Sequence, residues 1–157
     1  MLDGIDASGS QGARSVGNPV EGGEMSIRGG CLCGGVRYEI SGPLGDVSHC
    51  HCSMCRRQHG AAFATYGDFT PGDFKWMSGE DLVAVYNSSP QVGWGFCGTC
   101  GSTLVEVRDG NVTSVTLGTV EGDPQVRPGS HIFVGSKAAW HEITDDLPRF
   151  DEGPPGM

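Results

Sequence analysis

Between Val36 and Ile40 the chain alternates: Val36, Tyr38 and Ile40 are large and apolar or aromatic, while Arg37 and Glu39 are charged. A period of two puts each set on its own face of a strand, as in a sheet with one buried side. Gly42-Pro43 ends the pattern. Similar short runs return at 61–66, 74–77, 82–86, 103–108, 112–117 and 132–134. Asp109-Gly110 links two of them and is a strong hairpin signal. One segment, Cys52 to His59, reads as a short helix, stopped at Gly60, which can take the left-handed conformation of a helix end. Many short strands divided by Gly, Pro and Asp predict a mainly β fold of antiparallel sheets. Residues 1–24 carry almost no large apolar side chain and are expected to form a flexible extension. The folded domain is expected over 25–152, with a flexible tail at 153–157.

Composition sharpens this picture. Glycine supplies 27 of 157 residues, more than twice the usual share of about 7%. That favours tight turns and close backbone approach over long helices. The net charge of -9 argues against binding nucleic acid or an anionic membrane through bulk charge. No run approaches the roughly 20 apolar residues of a membrane span. The first residues lack the basic-then-apolar pattern of a secretory signal, so a cytoplasmic location is expected. Thiols stay reduced there, and clustered cysteines point to metal rather than to disulfides. A homodimer paired through sheet edges is a candidate assembly.

All seven cysteines fall in three groups. Cys97 and Cys100 form a C-x-x-C knuckle, with glycine inside it and after it. Cys31 and Cys33, flanked by glycines that let the chain bend, are the natural complement. Together they make a closed four-thiolate zinc site. Cys50, Cys52 and Cys55 offer three sulfurs within six positions. Three protein ligands and an open fourth position is the arrangement of a catalytic zinc. Two ions per chain are therefore expected. Another reading closes the central site with His49, His51 or His59, of which His59, four residues after Cys55, is the foremost candidate for a fourth ligand. His51 lies between two ligands and is expected to point away from them. A redox pair, Cys52 with Cys55, is a further reading. Arg56 and Arg57 follow the last ligand and are candidates to hold a substrate anion, or to balance the charge of the thiolates.

With these groups on the page, the chain resembles the glutathione-dependent formaldehyde-activating enzyme family, which includes centromere protein V. The resemblance spans about residues 27–151. It rests on Gly30-Cys31-Leu32-Cys33-Gly34-Gly35, on Cys50-His51-Cys52-Ser53-Met54-Cys55-Arg56-Arg57, on Phe96-Cys97-Gly98-Thr99-Cys100-Gly101, and on the tail from His131 to Phe150. Ala139 stands where many relatives have proline. The resemblance implies a β-tent of short antiparallel sheets, a structural zinc on Cys31, Cys33, Cys97 and Cys100, and a catalytic zinc on Cys50, Cys52 and Cys55. It implies a carbon–sulfur lyase acting in reverse, joining formaldehyde to the glutathione thiol to give S-hydroxymethylglutathione. His51, His59 and Tyr66 are candidates for the acid that protonates the product oxygen. The alternatives are a non-catalytic zinc module that binds a protein partner, with Trp94 or Trp140 as contact aromatics, and carbon–sulfur chemistry on another substrate.

Overall fold

The computed structural model describes residues 25–154. The extension expected at 1–24, and the last residues of the expected tail, lie outside the described residues. The elements run in the order β1 (Ser26–Gly30), β2 (Arg37–Ser41), β3 (Val47–Cys50), α1 (Ser53–His59), β4 (Ala64–Asp68), β5 (Phe74–Ser78), β6 (Val83–Asn87), β7 (Val92–Cys97), β8 (Thr103–Arg108), β9 (Asn111–Thr116) and β10 (Ser130–Ile132). The expected mainly β architecture of short sheets is present.

Two sheets form. The smaller has the order β1-β2-β5, and the larger β10-β3-β4-β9-β8-β7-β6. Neighbouring strands are antiparallel except β10, which runs parallel to β3. The chain after β10 closes that edge: the His131 amide donates to the Pro148 carbonyl, and the Phe150 amide donates to the His131 carbonyl. Asp109 and Gly110 both have positive φ, at 48° and 80°, which matches the right-handed twist of the β8–β9 hairpin.

The smaller sheet contributes Ile27, Val36, Tyr38 and Ile40 to the main core, where they meet Val47, Leu104, Val105 and Val115 from the larger one. Residues alternate along each strand, so the opposite face of the larger sheet is left to build something else. A second cluster of Cys50, Cys55, Ala64, Tyr66, Trp94 and Ile132 lies there. Glu39 departs from the simple alternation. It is only 8% exposed, because Arg28 of β1 and Lys75 of β5 reach it at 2.9 and 2.8 Å. The predicted runs omit three strands. β1 has one large apolar residue, β3 is half ligand and histidine, and β7 places Gly93 and Gly95 on either side of Trp94.

Candidate active site

The first and last cysteine groups meet. Cys31 and Cys33 follow β1, and Gly34 turns the chain at φ 77°. Cys97 ends β7, and Cys100 lies in the turn before β8, closed by Gly101 at φ 76°. The four sulfurs lie within 4.8 Å of one another. Cys31 Sγ is 3.4 Å from Cys33 Sγ, and Cys33 Sγ is 3.8 Å from Cys97 Sγ. Four sulfurs held tetrahedrally about 2.3 Å from one ion stand about 3.8 Å apart. The donor set and its spacing therefore fit a metal ion. Surrounding groups favour thiolates: the Val36 amide donates to Cys31 Sγ at 3.2 Å. The Ser102 hydroxyl and amide hold the Cys100 thiol at about 5.

The central group forms a separate site. Cys50 ends β3, and Cys52 is the N-cap of α1, its sulfur accepting from the Cys55 amide at 3.3 Å. Cys55 is one turn into the helix and is its buried residue. Cap and first turn thus bring Cys52 and Cys55 to one point, and β3 delivers Cys50 to it. The three sulfurs also lie within 4.8 Å of one another, and among the described residues no His, Asp or Glu joins them. Without an ion they share protons unequally. Hydrogen bonding from Cys50 and Cys55 holds Cys52 at about 2. Cys50 is pushed up to about 11, chiefly by Cys52 beside it. Three adjacent thiolates repel unless a cation sits among them, so this donor set also fits a metal.

His59 turns elsewhere. Its Nε2 is 2.8 Å from Tyr66 Oη, and burial lowers its pKa. His51 points to the opposite side of β3, as its place between two ligands implies. It is wholly buried, with Nε2 2.8 Å from His131 Nδ1. His131 Nε2 lies 3.1 Å from both Asp145 carboxylate oxygens. Burial and the neighbouring His131, His141, His49 and Lys137 lower the His51 pKa to about 4. His49 also faces away, its Nδ1 2.8 Å from Thr65 Oγ1.

The Cys50, Cys52 and Cys55 sulfurs line one wall of a cavity of about 630 Å³. It lies on the face of the larger sheet turned away from the main core. Tyr66, Trp94, Phe69 and Ile132 make its apolar walls, and Asp68, Glu106 and Arg108 its charged end. Neither Arg56 nor Arg57 lines it. Arg56 donates to the carbonyls of His51 and Ser136. Arg57, two positions past Cys55, falls about 200° around the helix from it, and is exposed. The cavity's cation is Arg108, ion-paired with Glu106 on the same face of β8. Charged residues two apart in an alternating strand were the sequence signal for that end. Trp94 was considered as a surface contact, but it is 5% exposed, whereas Trp140 is 74% exposed. Trp94 Nε1 has no hydrogen-bond partner among the described residues. It lies near enough to Tyr66 Oη to influence its acidity without bonding it in good geometry. Burial, then Cys55, Glu106 and Cys50, push the Tyr66 pKa up, so its hydroxyl stays protonated.

Residues 26–136 match the family model described as "Glutathione-dependent formaldehyde-activating enzyme". A Rhodobacter sphaeroides protein of known crystal structure is 28% identical, with 61% of this chain and 89% of that chain covered and a TM-score of 0.49. No curated protein matches the chain. No helix among the described residues is long and apolar enough to cross a membrane.

Proposed function

The chain belongs to the glutathione-dependent formaldehyde-activating enzyme family, and from that membership we propose that it joins formaldehyde or a similar aldehyde to a glutathione-type thiol beside Cys50, Cys52 and Cys55. One observation carries this reading: three sulfurs converge on the wall of a cavity of about 630 Å³, and no fourth protein ligand among the described residues closes the set. The contrast with the four-sulfur site is internal to the same molecule. Zinc suits both donor sets, as a structural ion with four thiolates and, with three, as an ion able to keep a substrate thiol ionised at neutral pH.

The chain's own residues supply the rest. Cys50, Cys52 and Cys55 fix where the reacting sulfur sits. Trp94, Phe69 and Ile132 keep water from crowding that end. Arg108 is the contact for a substrate carboxylate, in place of Arg56 and Arg57, and Asp68 and Glu106 suit the ammonium of the same thiol. Arg56 braces α1 instead. The reaction is a carbon–sulfur lyase step run toward addition, and the reducing cytosol is the compartment where such thiols abound.

Exchange NMR tests the proposal. Glutathione and formaldehyde interconvert with their adduct unaided, so the quantity of interest is the rate added by zinc-loaded protein. Faster exchange, lost in Cys52→Ser while the fold persists, is the expected result. An unchanged rate at high protein concentration, or full activity in Cys52→Ser, would overturn it.

A further inference from the structure

The cavity holds two hydrogen-bond donors whose placement the reading above leaves unexplained. Trp94, from β7, and Tyr66, from β4, line it together with the three sulfurs. Both are nine-tenths buried or more, at 5% and 7% exposure. Strands β9 and β8 lie between them in the sheet, so the fold spans that gap to set both on one wall. The Trp94 indole N–H has no partner. A buried N–H left unpaired in a solvent-accessible cavity is a donor awaiting an acceptor. The Tyr66 hydroxyl does have a partner, His59 Nε2 at 2.8 Å. If that nitrogen carries its hydrogen, His59 donates to Tyr66 Oη and leaves the tyrosine proton free to point into the cavity.

Resting on the reading that this cavity adds an aldehyde to a thiol, we propose that Tyr66 Oη–H and Trp94 Nε1–H together receive the aldehyde oxygen as its negative charge develops. A sulfur lone pair forms the new C–S bond, and the C=O π pair moves onto oxygen. Both donors aim at that oxygen, which then takes, through water, a proton equivalent to the one the thiol released. Thiol plus aldehyde thus gives the hydroxyalkyl thioether with nothing left over. Two fixed donors in a water-poor site favour charge that appears only on the way to product, and so act on turnover rather than on substrate binding. His59 is a positioning residue, orienting the tyrosine from behind.

The direct test uses zinc-loaded full-length protein with ¹⁵N-labelled tryptophan, its Trp94 indole signal assigned with Trp94→Phe. The probes are 2-mercaptoethanol, whose hydroxyl lies near the place of the product hydroxyl, and ethanethiol, which lacks it. A downfield shift of the Trp94 N–H with 2-mercaptoethanol but not with ethanethiol is expected. Equal shifts, or none, would overturn the donor pocket. The kinetic arm follows Tyr66→Phe, expected to lose about tenfold or more in kcat for glutathione–formaldehyde exchange, with KM and zinc content unchanged. A loss confined to KM, or no loss, would also overturn it. His59→Gln, which keeps an N–H, should retain more kcat than His59→Leu at equal KM; equal losses would contradict the positioning role. Should the indole shift appear while wild-type protein fails to speed exchange, the donor pocket stands and the glutathione–formaldehyde reading falls.

Discussion

Single residues decide which sulfurs share an ion. Cys50 and Cys52 turn to one point although His51 between them turns the other way, because the extended backbone alternates its side chains. Cys52 then also caps the helix that carries Cys55. Glycine has a comparable role beside the four-sulfur site. Gly79 has φ 68°, and a Cβ there would lie 2.2 Å from the Gly35 carbonyl oxygen, two residues after Cys33. Both objections are to backbone, which cannot rotate away. Gly79→Ala is therefore expected to cost at least about 2 kcal/mol, read as a lower chemical-denaturation midpoint. An unchanged midpoint would mean that this contact relaxes freely. The ligands were legible in the sequence because cysteine spacing is itself the signal. Trp94 and Arg108 were not legible as cavity residues, because their place depends on cross-strand register: Trp94 faces Glu106, and Glu106 faces Ser114, which faces Asp68.

At the level of elements, the alternation in β2 located a strand but not its neighbours. Glu39 reads as an outward-facing charge, yet β1 and β5 flank it and bring Arg28 and Lys75 onto it. Lys75 first, and Arg28 next, hold its carboxyl at about 2, below the ordinary glutamate value of about 4.3. Folding thus favours the charged form. The stabilisation is fully present above about pH 4.3 and is lost as pH falls toward 2. Stability measured across that window should fall more steeply for wild type than for Glu39→Gln; parallel curves would show that the three charges do not cooperate. The strand β7 escaped the sequence reading for a steric reason. Gly93 and Gly95 look like a turn, but a Cβ at Gly95 would lie 2.6 Å from Val105 Cγ2, and the strand needs both glycines to lie close against its neighbours.

Across the whole molecule, the two metal sites divide the work. The four-sulfur site ties the start of β2 in the smaller sheet to the β7–β8 turn of the larger, joining residues 64 apart in sequence at Cys33 and Cys97. Cys97 is wholly buried there. Cys97→Ser should cost on the order of 3 kcal/mol or more, whereas Cys52→Ser, at the edge of a cavity, should cost much less. Equal losses by thermal denaturation at matched metal content would erase the distinction. The fold class and both ligand sets were readable before the structure. The cavity was not, since it exists only where the face of the larger sheet turned away from the core meets α1 and the chain beyond β10.

The central claim is that the site of Cys50, Cys52 and Cys55 keeps a position open to a thiol while that of Cys31, Cys33, Cys97 and Cys100 does not. Cobalt-loaded protein titrated with glutathione tests this most directly, through the thiolate-to-cobalt charge-transfer absorption. The expected result is a saturable rise equivalent to one added sulfur, absent in Cys52→Ser. A spectrum that glutathione leaves unchanged would show a closed central site and contradict the account.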